Sequence, residues 1–525
     1  MKKILLPLLL LAGFHSYAQE NASARFAGAI SIPELKKHLT VIAGEDMEGR
    51  ETGTEGQRKA AAYIEAHFKN LGLTYPPALG GFQQAYPLHQ DTLLASSLTI
   101  GKITGRYGLD FISPAGANDN SEIKSKSVVF AGYGIEDKNY DSYAGLDVKG
   151  KIVLIVLGEP KSDGKYLVSG TGKTSDWTYP GLSKKIELAA SKGAVAVFVI
   201  NPSTDSIATK TAELSKKTNV YYPRDTKNKK VNYAVLSHAF AASVFGQPID
   251  TIIKTSKAGG LFSKEVAFES KQKSVFTVSK KQNIINATNV LGVLEGTDKK
   301  DEYVFITAHY DHLGKRDGKI YYGADDDGSG TVAVMQLASA FMKAKEEGKG
   351  PRRNIVFMTV SGEEKGLWGS EYYSDHPVFP LEKTSVDLNI DMIGRIDTER
   401  MKEDTLNYVY VVGHDKISTD LPVINEGMNH RYTQLTLDYK FDDPNDPNRI
   451  YYRSDHYNFA RKGVPVLFFY DGMLKADYHK PTDTVDKINW DLYQKRAQMI
   501  FHTAWEMANR EQMLVRDLPI PTGTR

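Results

Sequence analysis

Histidine and carboxylate side chains recur in the second half of the chain, each group next to a segment with the pattern of a strand. These side chains are His309, Asp311 and His312 in YVFITAHYDHLG, Asp325, Asp326 and Asp327 in YYGADDDGSGT, Glu363 and Glu364 in SGEEKG, Asp391 in VDLNIDMIGR, Asp455 and His456 in YRSDHYNF, and His479 in YHKPTDTVDKIN. Imidazole nitrogen and carboxylate oxygen are donors that zinc accepts in proteins. The set therefore indicates a metal-dependent site.

The adjacent acids Glu363 and Glu364 are the most costly of these residues to bury, since neighbouring carboxylates repel each other and resist desolvation. Two divalent ions, about 3.5–4 Å apart, can share a bridging carboxylate and a bridging water. Their four positive charges would stabilise such a cluster. The sequence thus favours two Zn²⁺ ions per chain.

Each motif alone has an ordinary explanation. An H-x-D pair commonly lies on a surface, and GADDDGSG suits a solvated turn or a helix N-cap, where aspartate is favoured. His479 alone would be an unremarked loop histidine. The inference depends on all the motifs occurring in order along the chain.

The elements that must position these groups alternate between strand and helix from about residue 281. Strands are predicted at ATNVLGVLEG, YVFITAH, NIVFMTV, VDLNIDMI, YVYVVG and VPVLFFY, and helices at GTVAVMQLASAFMKAKEE and WDLYQKRAQMIFHTAWEMANR. This alternation predicts an α/β fold, a mostly parallel mixed sheet between helices. Ligand sites form at the carboxyl ends of strands in such sheets, which is where the motifs lie.

The rest of the chain has a different pattern. Residues 1–18 resemble a secretory signal peptide, with Lys2 and Lys3, an apolar run and small residues before Gln19. Residues 19–89 are predicted to be a helical segment that packs on the α/β domain at 281–515. Short β-like runs between 90 and 280 predict an inserted β-rich domain, and 516–525 form a C-terminal tail.

Composition excludes several partners. The 525 residues carry a net charge of only +2 with no sustained basic stripe, which argues against nucleic acid. No segment after the first 18 residues is long and apolar enough for a stable membrane span. The chain has no cysteine, so disulfides and thiolate ligands are excluded. We expect a secreted or periplasmic bacterial protein.

The ordered motifs AHYDHLG, GADDDGSGT, SGEEKGLWGS, NIDMIGR and YHKPTDT resemble those of the co-catalytic zinc aminopeptidases. Relatives of that family include leucyl aminopeptidases, glutamate carboxypeptidases and folate hydrolase. AGEDMEGRETGTEGQRKAAAYI is typical of the family's N-terminal segment. The stretch VFAGYGIEDKNYDSYAGLDVKGKIVLIV resembles the protease-associated domain inserted in such enzymes.

The resemblance implies a role for each motif. His309 and Asp391 would bind one zinc, Glu364 and His479 the other, and Asp326 would bridge them, with a cis bond to Asp327. Asp311 would orient His309, and His312 would be a pocket residue. Glu363 would be the general base toward a metal-bridging hydroxide. Hydrogen-bond donors to the substrate oxygen would come from Tyr451, Tyr452 or His456.

Peptides are therefore the expected substrates, and an aminopeptidase is the leading hypothesis. A carboxypeptidase or dipeptidase of the same family is the main alternative. A glutaminyl cyclase, which works with one zinc, and a catalytically inactive receptor-like binding protein are disfavoured by the complete ligand set. The motifs do not specify the preferred N-terminal residue or the oligomeric state.

Overall fold

The structure is a computed structural model that describes residues 22–178, 181–202, 205–224, 230–245, 269–401 and 403–521. The predicted signal peptide, 1–18, lies outside the described residues. The chain divides into two compact units. One comprises the described residues up to Pro87 together with those from Asn286 onward, and the other comprises Leu88–Ile285.

The first unit is built on a mixed sheet whose central strands are apolar and buried. Seven of the ten strands of this sheet are, in sheet order, Ser274–Leu294, Arg353–Val360, Lys299–His309, Thr384–Ile390, Val466–Tyr470, Tyr408–Val412 and Thr436–Asp438. Arg353–Val360, Lys299–His309, Thr384–Ile390 and Val466–Tyr470 are consecutive parallel neighbours. The predicted α/β class with a mostly parallel sheet is confirmed, and each predicted strand is present.

Helices cover this sheet and complete one hydrophobic core. They are Ile32–Ile42, Glu55–Asn70, Gly330–Glu346, Trp368–Asp375, Asp420–Tyr432, His456–Ala460 and Trp490–Asn509. Gly330–Glu346 follows the triple aspartate and is buried along most of its length. Leu39 and Phe68 of the two N-terminal helices belong to the same core as Phe305 and Phe357 of the sheet.

Parallel strands determine where the ligand-type residues meet. Since the four parallel strands point the same way, their carboxyl ends lie at one edge of the sheet. His309 ends one strand, Asp391 directly follows another, and Glu363 comes three residues after Val360. The fold thus delivers these side chains from separate segments to one edge.

The second unit has its own six-stranded sheet. Its strands, in sheet order, are Glu269–Ser270, Val128–Phe130, Ile152–Val156, Ala196–Asn201, Asn232–Ser237 and Phe111–Ile112, and its helices include Gly181–Ser191, Thr209–Ser215 and His238–Phe245. The four central strands are parallel. That this unit is a protease-associated domain stays a prediction. In the described part of the chain, no helix has the length and apolar character needed to cross a membrane.

Candidate metal centre

His309, Asp326, Glu363 and Asp391 form the first half of the site. The Nε2 atom of His309 lies 3.3 Å from Oδ1 of Asp326 and 3.6 Å from Oδ1 of Asp391. Glu363 Oε2 is 4.0 Å from the same nitrogen. One imidazole and two carboxylates therefore face a common point, and Glu363 lies beside them.

His479, Glu364 and Asp326 form the second half. The Nε2 atom of His479 lies 3.2 Å from Oδ2 of Asp326 and 3.0 Å from Oε2 of Glu364. Asp326 thus turns one carboxylate oxygen toward His309 and the other toward His479. Its peptide bond to Asp327 is cis, as the resemblance implies.

The other two acids of the triple are occupied elsewhere. Asp327 accepts backbone hydrogen bonds from Gly330 and Met392 at Oδ1 and from His309 at Oδ2. Asp325 accepts from the backbone N–H of Gly394 at Oδ1. Of the three aspartates, only Asp326 has one oxygen near His309 and the other near His479. The sequence contains no physical reason to prefer Asp326 over its two neighbours.

His312 lies closer to the ligand set than its role as a pocket residue suggests. Its imidazole is fully buried, with Nδ1 2.7 Å from Oε1 of Glu364 and 3.8 Å from Oδ2 of Asp326. Glu364 is therefore flanked by two imidazoles, those of His312 and His479. His312 lies next to one oxygen of the Glu364 carboxylate, Oε1, and His479 lies next to the other, Oε2.

The site has the donor set and the unbalanced charge that divalent cations require. Among the described residues, no lysine or arginine nitrogen lies within 4.0 Å of the carboxylates of Asp326, Glu363, Glu364 or Asp391. A buried group of acids needs a compensating cation. Imidazole and carboxylate donors on both sides of Asp326 fit a pair of zinc ions.

A third group of ligand-type residues has a different partner. It consists of His414, Asp415 and Asp442, whose potential ligand atoms lie within 4.8 Å of one another. Lys416 Nζ is 2.5 Å from Asp442 and 2.7 Å from Asp415, so an ammonium group already balances these carboxylates. This contrast supports the metal interpretation of the first two groups.

The two adjacent glutamates differ in their electrostatics. Burial raises the pKa of Glu363 well above its ordinary value, and the nearby Asp391 and Glu364 carboxylates add to the rise. Burial also acts on Glu364, but the imidazoles of His312 and His479 outweigh it and lower the pKa of that carboxyl. The Glu363 side chain is 13% exposed and that of Glu364 4%, so solvent reaches Glu363 more readily.

Asp311 and Thr52 hold these groups in position. The Nδ1 atom of His309 lies 3.0 Å from the Asp311 carbonyl oxygen and 3.7 Å from its Oδ1. Thr52 donates from Oγ1 to Asp311 Oδ2 at 2.6 Å and accepts from the N–H of Gly362 at 2.9 Å. The N–H of Glu363 donates to Asp311 Oδ1. The buried hydroxyl of Thr52 therefore links Asp311, which contacts His309, to the turn that carries Glu363.

Replacing Thr52 by valine should lower metal affinity or kcat about 10- to 100-fold, the usual effect of removing a group that orients a metal ligand. Valine keeps the shape but leaves Asp311 Oδ2 and the Gly362 N–H without this partner. Thr52→Ser should retain most of the activity, because its hydroxyl can restore both bonds. Thr54→Val removes a hydroxyl that bonds only to the Glu51 carbonyl and serves as the control. Wild-type metal titration and kcat in Thr52→Val would contradict this role.

A pocket opens beside the site. One wall contains His309, Asp326, Glu363 and Asp391; the others are formed by Met392, Ile450, Arg453, Ser454, Phe468, Tyr470, Leu474 and Tyr478. Ser454 donates to Asp391 Oδ2 at 2.6 Å, which leaves Oδ1 facing His309. The pocket is therefore apolar on several sides and acidic where the candidate ligands lie.

The predicted hydrogen-bond donors Tyr451, Tyr452 and His456 do not line this pocket. His456 is buried and stacks on Phe468, and burial lowers its pKa to about 3, so its ring is neutral. The tyrosine beside the ligands is Tyr478, whose ring stacks on His479 with centroids 3.8 Å apart. Tyr478 directly precedes His479 in YHKPTDT, so its place beside the candidate ligands follows from the sequence once His479 is located.

The chain is similar in sequence to known peptidases. The family model described as Peptidase family M28 matches residues 289–504. The chain is 24% identical over 359 residues to "Aminopeptidase YwaD" of Bacillus subtilis (strain 168), covering 65% of this chain and 68% of that protein. It is 26% identical over 216 residues to a "Probable leucine aminopeptidase" of Arthroderma otae, covering 40% of this chain and 55% of the relative. The match thus spans little more than half of the fungal protein.

One solved structure extends the similarity to the whole chain. The structure "Aminopeptidase from Aneurinibacillus sp. strain AM-1" is similar to this one with a TM-score of 0.50 and 19% identity. The superposition covers 96% of this chain and all of the other. At this identity the similarity concerns the fold.

Proposed function

We propose that the protein is a secreted or periplasmic di-zinc aminopeptidase, starting from the match of residues 289–504 to the model of Peptidase family M28. The observation that carries the proposal is the pair of ligand groups that share Asp326, with Glu363 beside them. Among the described residues, their carboxylates have no lysine or arginine nitrogen within 4.0 Å. Cleavage from the N-terminus is suggested by the names of the relatives.

We assign His309 and Asp391 to one zinc ion, Glu364 and His479 to the other, and Asp326 to both. When bound, such a pair lowers the pKa of a water molecule and polarises the scissile carbonyl. Asp311 and Ser454 keep the imidazole and the Asp391 carboxylate oriented through the contacts described above. His312 supports Glu364.

Glu363 is the group that moves the proton. Its carboxylate lies next to the ligands, and in the described part of the chain it has no lysine or arginine nitrogen within 4.0 Å. Its side chain reaches solvent in the pocket. It accepts a proton from the attacking water and returns it to the leaving amine.

Tyr478 is the donor that we assign to the carbonyl oxygen of the substrate. Arg453 Nη2 donates to the Tyr478 hydroxyl oxygen at 3.0 Å, which leaves the phenolic hydrogen free to donate elsewhere. A fixed donor aimed at an oxygen that gains negative charge stabilises the transition state.

A substrate panel tests the proposal. We expect leucine p-nitroanilide to be hydrolysed, N-acetyl-leucine p-nitroanilide to be resistant, and a chelator to abolish turnover until zinc is restored. Elemental analysis should give two zinc ions per chain. Preferential cleavage of N-blocked peptides at the C-terminus would favour the carboxypeptidase alternative. Zinc binding without turnover of any peptide would favour an inactive binding protein.

A further inference from the structure

Arg453 is a permanent cation in the pocket of the proposed active site. It follows the helical turn Ile450–Tyr452 and lines the same pocket as Glu363 and the candidate ligands. Its side chain is exposed, in contrast to the buried Ser454 and Asp455 that follow it. The guanidinium therefore lies at the solvent side of the pocket.

This guanidinium is held by a hydrogen bond, and the Glu363 carboxylate in the same pocket acts on it at a distance. It donates to the Tyr478 hydroxyl at 3.0 Å and lies 5.9 Å from the centre of that ring. Among the residues that the structure describes, no aspartate or glutamate oxygen lies within 4.0 Å of it. Arg395, close to the same edge of the sheet, is by contrast paired with Asp477 at 2.9 Å. Arg453 thus retains donors for a group that enters from solvent.

The shape of the pocket indicates which residue of a bound peptide would carry a negatively charged group toward Arg453. The apolar walls of Met392, Ile450, Phe468 and Leu474 suit the side chain before the scissile bond. We therefore place the residue after that bond at the solvent side of the pocket, where the exposed Arg453 lies. Consecutive Cα atoms are about 3.8 Å apart. A carboxylate on the residue after the scissile bond is therefore within the reach of an arginine that already contacts Tyr478.

We propose that Arg453 binds a carboxylate on the residue that follows the scissile bond, so that the enzyme prefers leaving groups that carry this charge. Guanidinium and carboxylate are matched in shape and form charge-assisted, often bidentate hydrogen bonds. The carboxylate is either the C-terminus of a dipeptide or the side chain of an aspartate or glutamate. The inference depends on the proposed peptidase function and adds a substrate class to it.

Paired substrates test the proposal and separate the two sources of the charge. Leu-Gly against Leu-Gly-amide reports on a terminal carboxylate, and Leu-Glu-amide against Leu-Gln-amide reports on a side chain. In at least one pair we expect kcat/KM of the wild type to favour the charged member about tenfold or more, a moderate value because the site is partly exposed. In Arg453→Gln this ratio should fall to about 1–2, and Arg453→Lys should keep part of it.

The ratio distinguishes carboxylate binding from an effect through Tyr478. Loss of the Arg453–Tyr478 hydrogen bond would slow the charged and the uncharged substrate alike and leave their ratio unchanged. Arg58→Gln, an exposed position on the helix Glu55–Asn70, makes the same change of charge away from the pocket and should keep the wild-type ratio.

Two results would overturn the inference alone: hydrolysis with a ratio near 1 in both wild-type pairs, or a wild-type ratio that survives in Arg453→Gln. If leucine p-nitroanilide and all four peptides resist hydrolysis by the zinc-loaded protein, the proposed function fails and this inference fails with it.

Discussion

Replacing Glu363 by glutamine is expected to lower kcat by at least about 10²–10⁴-fold, the usual contribution of general acid–base catalysis. The amide keeps the size and shape of the side chain but cannot accept the proton of the attacking water. Both zinc ions should remain, because Glu363 is not assigned to either of them. Turnover of leucine p-nitroanilide, measured beside zinc content, checks the prediction.

Glu364→Gln is the matched control, since it makes the same chemical change one residue away. A neutral amide is a weaker ligand than a carboxylate, so this variant should lose affinity for one zinc ion, and excess zinc should restore part of its activity. If Glu363→Gln lost zinc while Glu364→Gln kept it, the roles of the two glutamates would be reversed. If turnover and zinc content changed little in either variant, both glutamates would be solvated turn residues with no part in catalysis or metal binding.

The strands and the residues at their ends were predictable because they follow local rules. An apolar run such as NIVFMTV predicts a buried strand, and parallel strands place their carboxyl ends together. Both rules use only neighbouring residues and the direction of the chain. Together they predict, without any measured distance, that His309, Glu363 and Asp391 lie at one edge of the sheet.

The contacts that support the site were not predictable, because they join distant parts of the chain. Thr52 and Asp311 are 259 positions apart, and nothing near Thr52 reveals that its hydroxyl meets a carboxylate. Part of the pocket wall likewise comes from residues 450–454 and 474–478, which lie outside the sheet and show no helix or strand periodicity in the sequence. For this reason the sequence pointed to Tyr451, Tyr452 and His456, whereas the pocket is lined by Tyr470 and Tyr478.

The limits of the inserted unit differ slightly from the predicted 90–280, since the structure divides the chain at Leu88–Ile285. The cause is two long strands, Gln83–Ile100 and Ser274–Leu294, which run through both limits. The start of the second one, Ser274–Val278, pairs with Ser121–Ser125. A composition change does not reveal a boundary that falls inside a continuous strand.

Replacing Asp326 by asparagine should have the widest effect on metal binding, because this carboxylate is the residue assigned to both zinc ions. Its two oxygens lie 3.3 Å and 3.2 Å from the imidazoles of His309 and His479. Asparagine offers one neutral oxygen and places an NH₂ group toward the other ion. We therefore expect zinc content to fall below that of Glu364→Gln, which loses a ligand from one side only.

The loss of activity in Asp326→Asn should exceed about 100-fold, the upper range for residues that only orient a ligand. Asp317→Asn makes the same chemical change in an exposed turn nine residues earlier and should bind zinc and hydrolyse leucine p-nitroanilide as the wild type does. Circular dichroism of both variants separates metal loss from unfolding. A folded Asp326→Asn protein that retained two zinc ions and wild-type kcat would show that the carboxylate does not bridge them, and the assignment of the whole ligand set would have to be abandoned.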